Sequence, residues 1–500
     1  MSSINGTTLR LTGMSSGLDT DSIVKSLLEV DQFKVDKQFR LTKKLEWTGD
    51  AHRAVNTAIK NFRTQYMSVL NSASNMYSAS AYKAYSVNME TSTSAVSITA
   101  GSTATEGAMI INKITQLAEA AKASGTEMEI SGTPNSTLLE AFGEGIFDES
   151  GNISFSINGE EFTFSSDTTV YSMMNTVNSN SNAAVTMSYS SLKKAFTISG
   201  KTTGTDNTVE IENISGSAFA QTADAAAFKI AEGAYTGKNA KLQIEGVDVE
   251  QSSNSFTIDG ITYSLKSQSS AINFSVARDT DAVYNKIVAF IDAYNTLIED
   301  LQSKLDEEVY SDYEPLTDTE REDLSESQQE KWDEKSKSGL LRNDSGIRSL
   351  LQTMRSAFYQ TVADTGKSAS TIGLKTGSYA TTGKIVIDED KLRKAINSNP
   401  DEVAKIFTNV SAATDSSTRT AESGLVTRLS NALNSYVSNS VDNTLASNAK
   451  ALSEANDRLD DLEDWLSSNE EKYWSKFSAM ESAMSKLNSQ SSWLGSLLGS

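Results

Sequence analysis

Residues 477–494, FSAMESAMSKLNSQSSWL, place their large apolar side chains three and four positions apart, which is the spacing of one face of a helix. Upstream, Leu445, Leu452, Leu459, Leu462 and Leu466 carry the same stripe. Together they outrun an ordinary helix and predict a coiled coil or bundle. A stripe this long needs a partner surface, and the other end of the chain offers one. Leu41, Leu45, Val55, Ile59, Phe62, Tyr66 and Val69 recur at the same steps, with Thr48 and His52 on the same face. The two ends are expected to pair.

The first helix has a readable start in residues 16–23, SGLDTDSI. Asp19 is placed to accept the free amide of Ser22, Asp21 sits at the positive end of the helix dipole, and Leu18 is positioned to staple onto Ile23. Helix is expected, with interruptions, to about Ala79. The charged patch Asp31 to Lys44 predicts a break or a solvent-facing stretch, and Trp47 to Asp50 predicts a joint.

From Tyr85 to about Val276 the period changes to two, in a region rich in Ser, Thr, Gly and Asn. Three hairpins give self-consistent registers. A turn at Asn158-Gly159 sets Phe155 against Phe162 and Ile153 against Phe164. Glu245-Gly246 sets Ile244 against Val247 and Leu242 against Val249, and Asp259-Gly260 sets Ile258 against Ile261 and Phe256 against Tyr263. Each hairpin is expected to bury one face. The Ala- and Gly-rich stretch Phe219 to Ala234 reads as a connection between two β lobes, one inserted in the other. Helix period returns after Asp279 with Val283, Ile287, Phe290, Ile291, Tyr294 and Ile298. Asp306 to Lys337 reads as a solvated helical hairpin, because its acidic residues lack the spacing of a calcium loop. Ile347 to Phe358 predicts an amphipathic helix. A strand is expected at Lys384 to Ile387, then a helix from Asp390 and another after Pro400.

Composition narrows the function classes. The 500 residues exceed what one core usually supports, so several domains are expected. A net charge of -21 opposes phosphate backbones and anionic lipid, making nucleic acid and membrane insertion poor partner expectations. No apolar run reaches the length of a membrane span, and Met1 to Ser16 lacks the basic and apolar regions of a cleavable secretory signal. With no cysteine, there are no disulfides, thiolate nucleophiles or cysteine zinc sites. The lone histidine, His52, lies on a helix stripe and reads as structural. No cofactor, metal site or catalytic constellation stands out, so an enzyme is not expected.

Read in order, several segments resemble the bacterial flagellar filament cap family, also called flagellar hook-associated protein 2. The resemblance covers Ser16 to Val24, Gln116-Leu117-Ala118, Ser252-Ser253-Asn254, Tyr294-Asn295, Tyr313 to Thr317 and Ser338 to Asp344, then Asp388 to Phe407 and Lys486 to Leu494. Residues 118–234 match only loosely. Flagellin or a hook-filament junction protein would share paired terminal helices, yet neither resembles the surroundings of Pro315, Gly339 and Trp493.

The resemblance implies an α+β multidomain chain in which paired N- and C-terminal coiled-coil-like helices form a leg and two β-rich head domains are inserted between them. The expected division is a leg of 1–45 and 455–500, a helical stalk with a small β element of 46–84 and 279–454, a head of 85–118 and 235–278, and a second, inserted head of 119–234. It further implies a homo-oligomeric ring at the filament tip that promotes folding and insertion of flagellin, extracellular after export by the flagellar type III apparatus. A hook-filament junction protein and an export chaperone are further expected partners. The residues expected to meet partners are Leu18, Ile23, Leu27, Phe477, Met480, Met484, Leu487, Trp493 and Leu494. The other function class is a cell-adhesion role, in which the Ser/Thr-rich heads bind host mucin or glycan.

Overall fold

The computed structural model describes residues 17–220, 226–377 and 383–498. The reading of Met1 to Ser16, including the first residue of the Ser16–Val24 motif, lies outside the described residues. The chain divides into two compact units, one of residues 83–282 and one made of the flanking segments.

Helix α1 spans Thr20–Met67. Asp19 caps it: Oδ1 accepts from the Ser22 amide at 3.1 Å and Oδ2 from the Ser22 hydroxyl at 2.7 Å. The helix runs unbroken, so neither a break at Asp31 to Lys44 nor the joint at Trp47 to Asp50 occurs, and it stops at Met67 rather than Ala79. The former stretch buries Asp31, Val35, Gln38 and Thr42 on one side. The charged patch stays helical because its side chains have partners off the helix. Arg40 reaches Glu320 at 2.6 Å and the Pro315 carbonyl at 3.2 Å, and Lys44 reaches Glu314 at 3.5 Å. The buried stripe keeps His52 as expected but differs elsewhere: Val24, Asp31, Val35, Gln38, Thr42 and Gly49 also lie on it, whereas Leu41 and Val69 are exposed.

Residues 83–282 are β-rich. Strands β1 (Tyr85–Met89), β2 (Val96–Ala100), β3 (Gly107–Gln116) and β4 (Ala120–Ser124) precede helix α2 (Leu138–Phe142). Then come β5 (Asn152–Ile157), β6 (Glu160–Ser165), α3 (Val170–Ser179), β7 (Val185–Ser190), β8 (Ala195–Thr203), β9 (Thr208–Ser215) and β10 (Gly233–Thr236). The last five are β11 (Ala240–Ile244), β12 (Val247–Gln251), β13 (Ser255–Ile258), β14 (Ile261–Leu265) and β15 (Ile272–Arg278). Sheets β1-β15-β3-β11-β12 and β13-β14-β2 share one core, built on Ile111, Leu242, Tyr263 and Phe274. Sheets β10-β9-β5-β6 and β4-β8-β7 share another, centred on Phe155, Phe196, Phe219 and Phe228. Between the cores the chain crosses twice, and Glu119 and Lys238 exchange backbone hydrogen bonds at 2.9 Å.

All three hairpin registers are as expected from the sequence. In each turn both central residues have positive φ (52° and 80° at Asn158-Gly159), the type I′ geometry that matches strand twist. Only β5–β6 buries a full face. In the other two, Val247 of β12 is exposed and Phe256 of β13 half-buried. The described residues of the stretch Phe219 to Ala234 are not a mere connection: Phe219, Ala227, Phe228 and Ile230 are buried, with Phe219 and Phe228 5.4 Å apart. Ala226 and Ala227, beside Phe228, look like a connection in sequence but fill a core.

In the flanking unit, α4 (Thr280–Asp306) packs its expected stripe, with Phe290 5.7 Å from Phe62 and 5.6 Å from Tyr66. Short helices α5 (Asp318–Glu322) and α6 (Glu326–Lys337) follow, but the acidic segment is not fully solvated, because Pro315 and Leu316 are buried beside Arg40. Next come α7 (Ser345–Ser356), capped by Asp344, then β16 (Leu374–Thr376) paired to β17 (Ile385–Ile387), α8 (Glu389–Ser398) and α9 (Pro400–Thr408). Helices α10 (Ser416–Glu422) and α11 (Leu425–Ser435) lead through a π-helical turn, Tyr436–Val441, into α12 (Asp442–Leu498). Arg428 of α11 is buried with no carboxylate partner. Its five N–H groups donate to the carbonyls of Ala357, Gln360, Thr361, Thr420 and Ala421. It thus gathers the negative ends of α7 and α10.

Candidate partner-binding surface

Helices α1 and α12 run antiparallel, and polar side chains set their register. Asn448 Nδ2 donates to the Leu45 carbonyl at 2.9 Å, Gln38 Nε2 to the Ala455 carbonyl at 2.9 Å, and Asn469 Nδ2 to Asp31 Oδ2 at 3.1 Å. Lys34 Nζ lies 4.4 Å above the Trp465 ring and 3.3 Å from Asp31. Polar groups in a helix seam cost stability when unpaired, so each pairing opposes a slipped register. Not every polar atom there is matched. Among the described residues Thr20 Oγ1, Thr42 Oγ1 and His52 Nδ1 are buried without a hydrogen-bond partner.

His52 sits where α1 meets α7 and the π-helical turn, in a polar cavity of about 210 Å³ shared with Asp344 and Tyr436. Its Nε2 is 3.9 Å from Asp344 Oδ2. Burial pushes its pKa below the usual imidazole value, and the Asp344 carboxylate offsets part of that shift.

Following the antiparallel register, Thr20 stands level with about residue 480 of α12. Phe477 and Met480 are accordingly half-buried. Beyond them burial ceases: Met484, Leu487 (58% exposed), Trp493 (65%) and Leu494 are uncovered along about 15 Å of helix, at about 1.5 Å per residue. Residues 485–498 contain one lysine and no carboxylate. Leu18, just before α1, and Ile23 and Leu27 on it are likewise exposed, whereas Thr20 and Val24 face inward, each 1% exposed. The nine residues singled out from the sequence therefore fall into a half-buried pair and seven exposed positions at the chain-terminal end of the helix pair. Val30 and Phe33 were missed, although both are exposed on α1. The four-then-three spacing of Ile23, Leu27 and Val30 was the signal for the first of them. Such an apolar surface, nearly uncharged over residues 485–498, is suited to another protein.

No helix among the described residues is long and apolar enough to cross a membrane. A family profile described as flagellar hook-associated protein 2 C-terminus matches residues 237–489, and one described as flagellar hook-associated protein 2 N-terminus matches residues 16–121. The flagellar hook-associated protein 2 of Halalkalibacterium halodurans is 30% identical over 96% of this chain and 98% of its own. That of Thermotoga maritima is 26% identical over 68% of this chain and 54% of its own. The crystal structure of the flagellar cap protein FliD D1-D2-D3 domains from Escherichia coli shares the fold. Its TM-score is 0.53 at 19% identity, covering 80% of this chain and 99% of that one.

Proposed function

The chain belongs to the flagellar hook-associated protein 2 family, a structural family of the bacterial flagellum and not an enzyme, and from that membership we propose that it caps the flagellar filament. In this reading it works as a homo-oligomeric ring at the extracellular tip, where exported flagellin folds and joins the filament instead of being lost. Export through the flagellar type III apparatus, and contacts with a hook-filament junction protein and an export chaperone, belong to the same proposal. So does the division into leg, stalk and two head domains at the limits given above. The adhesin reading has no specific observation in its favour.

The observation that carries the proposal is the uncovered, carboxylate-free end of α12 beside the exposed Ile23 and Leu27 of α1. Weak, repeated apolar contacts suit a cap that must shift as each subunit is added. The test is a deletion strain complemented with full-length protein or with a version ending before Lys486, scored for swimming and for flagellin in the medium. Full-length protein should restore filaments while the truncation, exported normally, leaks flagellin. A truncation that restores swimming fully would remove the α12 end from the working contact.

A further inference from the structure

The acidic segment before α7 forms a cleft of about 570 Å³ against α6, walled by Tyr310, Tyr313 and Trp332. The rings are not coplanar. Tyr313 and Trp332 have centroids 4.7 Å apart at 55°, and Tyr310 meets Tyr313 edge-on at 82°. A flat platform of parallel rings would suit the face of a sugar; tilted rings instead make a concave cage whose faces converge on a point charge. That point is occupied by a cation. Lys335 Nζ sits 4.2 Å from the Tyr313 centroid and 5.6 Å from that of Tyr310, and donates to the Tyr313 hydroxyl at 3.0 Å. The charged side chains lining the cleft are Lys331, Glu334 and Lys335, within a segment, residues 306–337, that holds 13 carboxylates against 4 lysines and arginines and so attracts cations at longer range.

Lys335 is a solvent-exposed residue, so its ammonium is exchangeable, and the cleft is far larger than the one group it holds. We infer that this cleft receives the ammonium of a lysine side chain presented by a partner protein, and that Lys335 occupies the cage until such a lysine replaces it. The fit to a lysine is already displayed in cis, on the same four-carbon stem that a partner residue would bring. Trp332 is fixed for the task, its Nε1 donating to the Glu314 carbonyl at 2.7 Å.

The test is an NMR titration of the full chain, following the Trp332 indole N–H, identified by its loss in Trp332→Phe. The probes are N-acetyl-lysine methylamide, its trimethylated form, and the norleucine analogue, which has an apolar side chain and no charge. Removing the internal competitor in Lys335→Ala should give saturable shifts with both cations and lower the apparent Kd about fivefold or more relative to the unaltered chain. Tyr313→Phe keeps the ring but removes the hydroxyl that Lys335 donates to, and should shift affinity in the same direction. The norleucine analogue should give no response. Flat titrations in both variants, with Trp332 still dispersed and the thermal midpoint unchanged, would overturn the inference. So would an equal response to norleucine, which would make the cleft an apolar groove indifferent to charge.

Discussion

Gly49 of α1 and Asn448 of α12 occupy one space: a Cβ at position 49 would come within 2.7 Å of Asn448 Nδ2, the atom that donates to the Leu45 carbonyl. The obstacle is the tip of a side chain, so alanine is tolerable there. Gly49→Ala gains about 1 kcal/mol of helix propensity and forfeits a hydrogen bond of about 1 kcal/mol, leaving stability nearly unchanged. In an Asn448→Ala background the obstacle is gone, and the same substitution should stabilise by about 1 kcal/mol. Urea unfolding of the four proteins checks both statements, and Gly49→Leu should destabilise in either background.

Arg428 makes a second prediction. A lysine has three donors in place of five, so Arg428→Lys abandons at least two buried carbonyls that now end α7 and α10. The expected loss is about 3 kcal/mol, read as a lowered thermal midpoint with secondary structure intact below it.

His52 is the chain's single histidine, which isolates its titration. Burial lowers its folded pKa below the unfolded value, so between those values the unfolded chain binds a proton that the native chain refuses. Its contribution is therefore complete above an unfolded pKa of about 6.5 and declines as pH falls toward the folded value. Stability measured from pH 7.5 to pH 5 should drop in the unaltered chain and stay flatter over the upper part of that range in His52→Gln.

Exposure separates contact from support on the helix pair. Leu487→Ser and Trp493→Ser should leave stability within about 0.5 kcal/mol, since nothing among the described residues packs over them, yet should impair filament assembly. Phe62→Ala, in the buried aromatic cluster with Tyr66 and Phe290, should cost about 3 to 5 kcal/mol. Pairing motility with thermal unfolding for the three variants distinguishes the two roles.

Periodicity made the pairing of the terminal helices and the three hairpins legible, because Phe155 and Phe162, or Val55 and Ile59, report their face through spacing alone. It failed wherever a polar residue does the work of an apolar one. Asp31, Gln38 and Thr42 occupy the seam of α1, and only Asn469 and the Ala455 carbonyl, more than 400 positions away, reveal why two of them are tolerated. Which face a layer covers was equally silent, since Val247 alternates like a buried strand residue yet is exposed. The aromatic cleft was missed for a related reason: Tyr310, Tyr313 and Trp332 converge only when α6 folds back on the loop before it.

The bonds joining Gln38 to Ala455 and Asp31 to Asn469 span 417 and 438 positions of sequence. Whatever the order in which the chain is made or delivered, α1 has no surface on which to close its seam until the final helix is present. Both β cores, by contrast, are complete within 83–282 and need nothing from either end. Helix α1 is thus among the last elements to reach its final packing, and a molecule stalled before α12 would hold finished sheets and an open helix face.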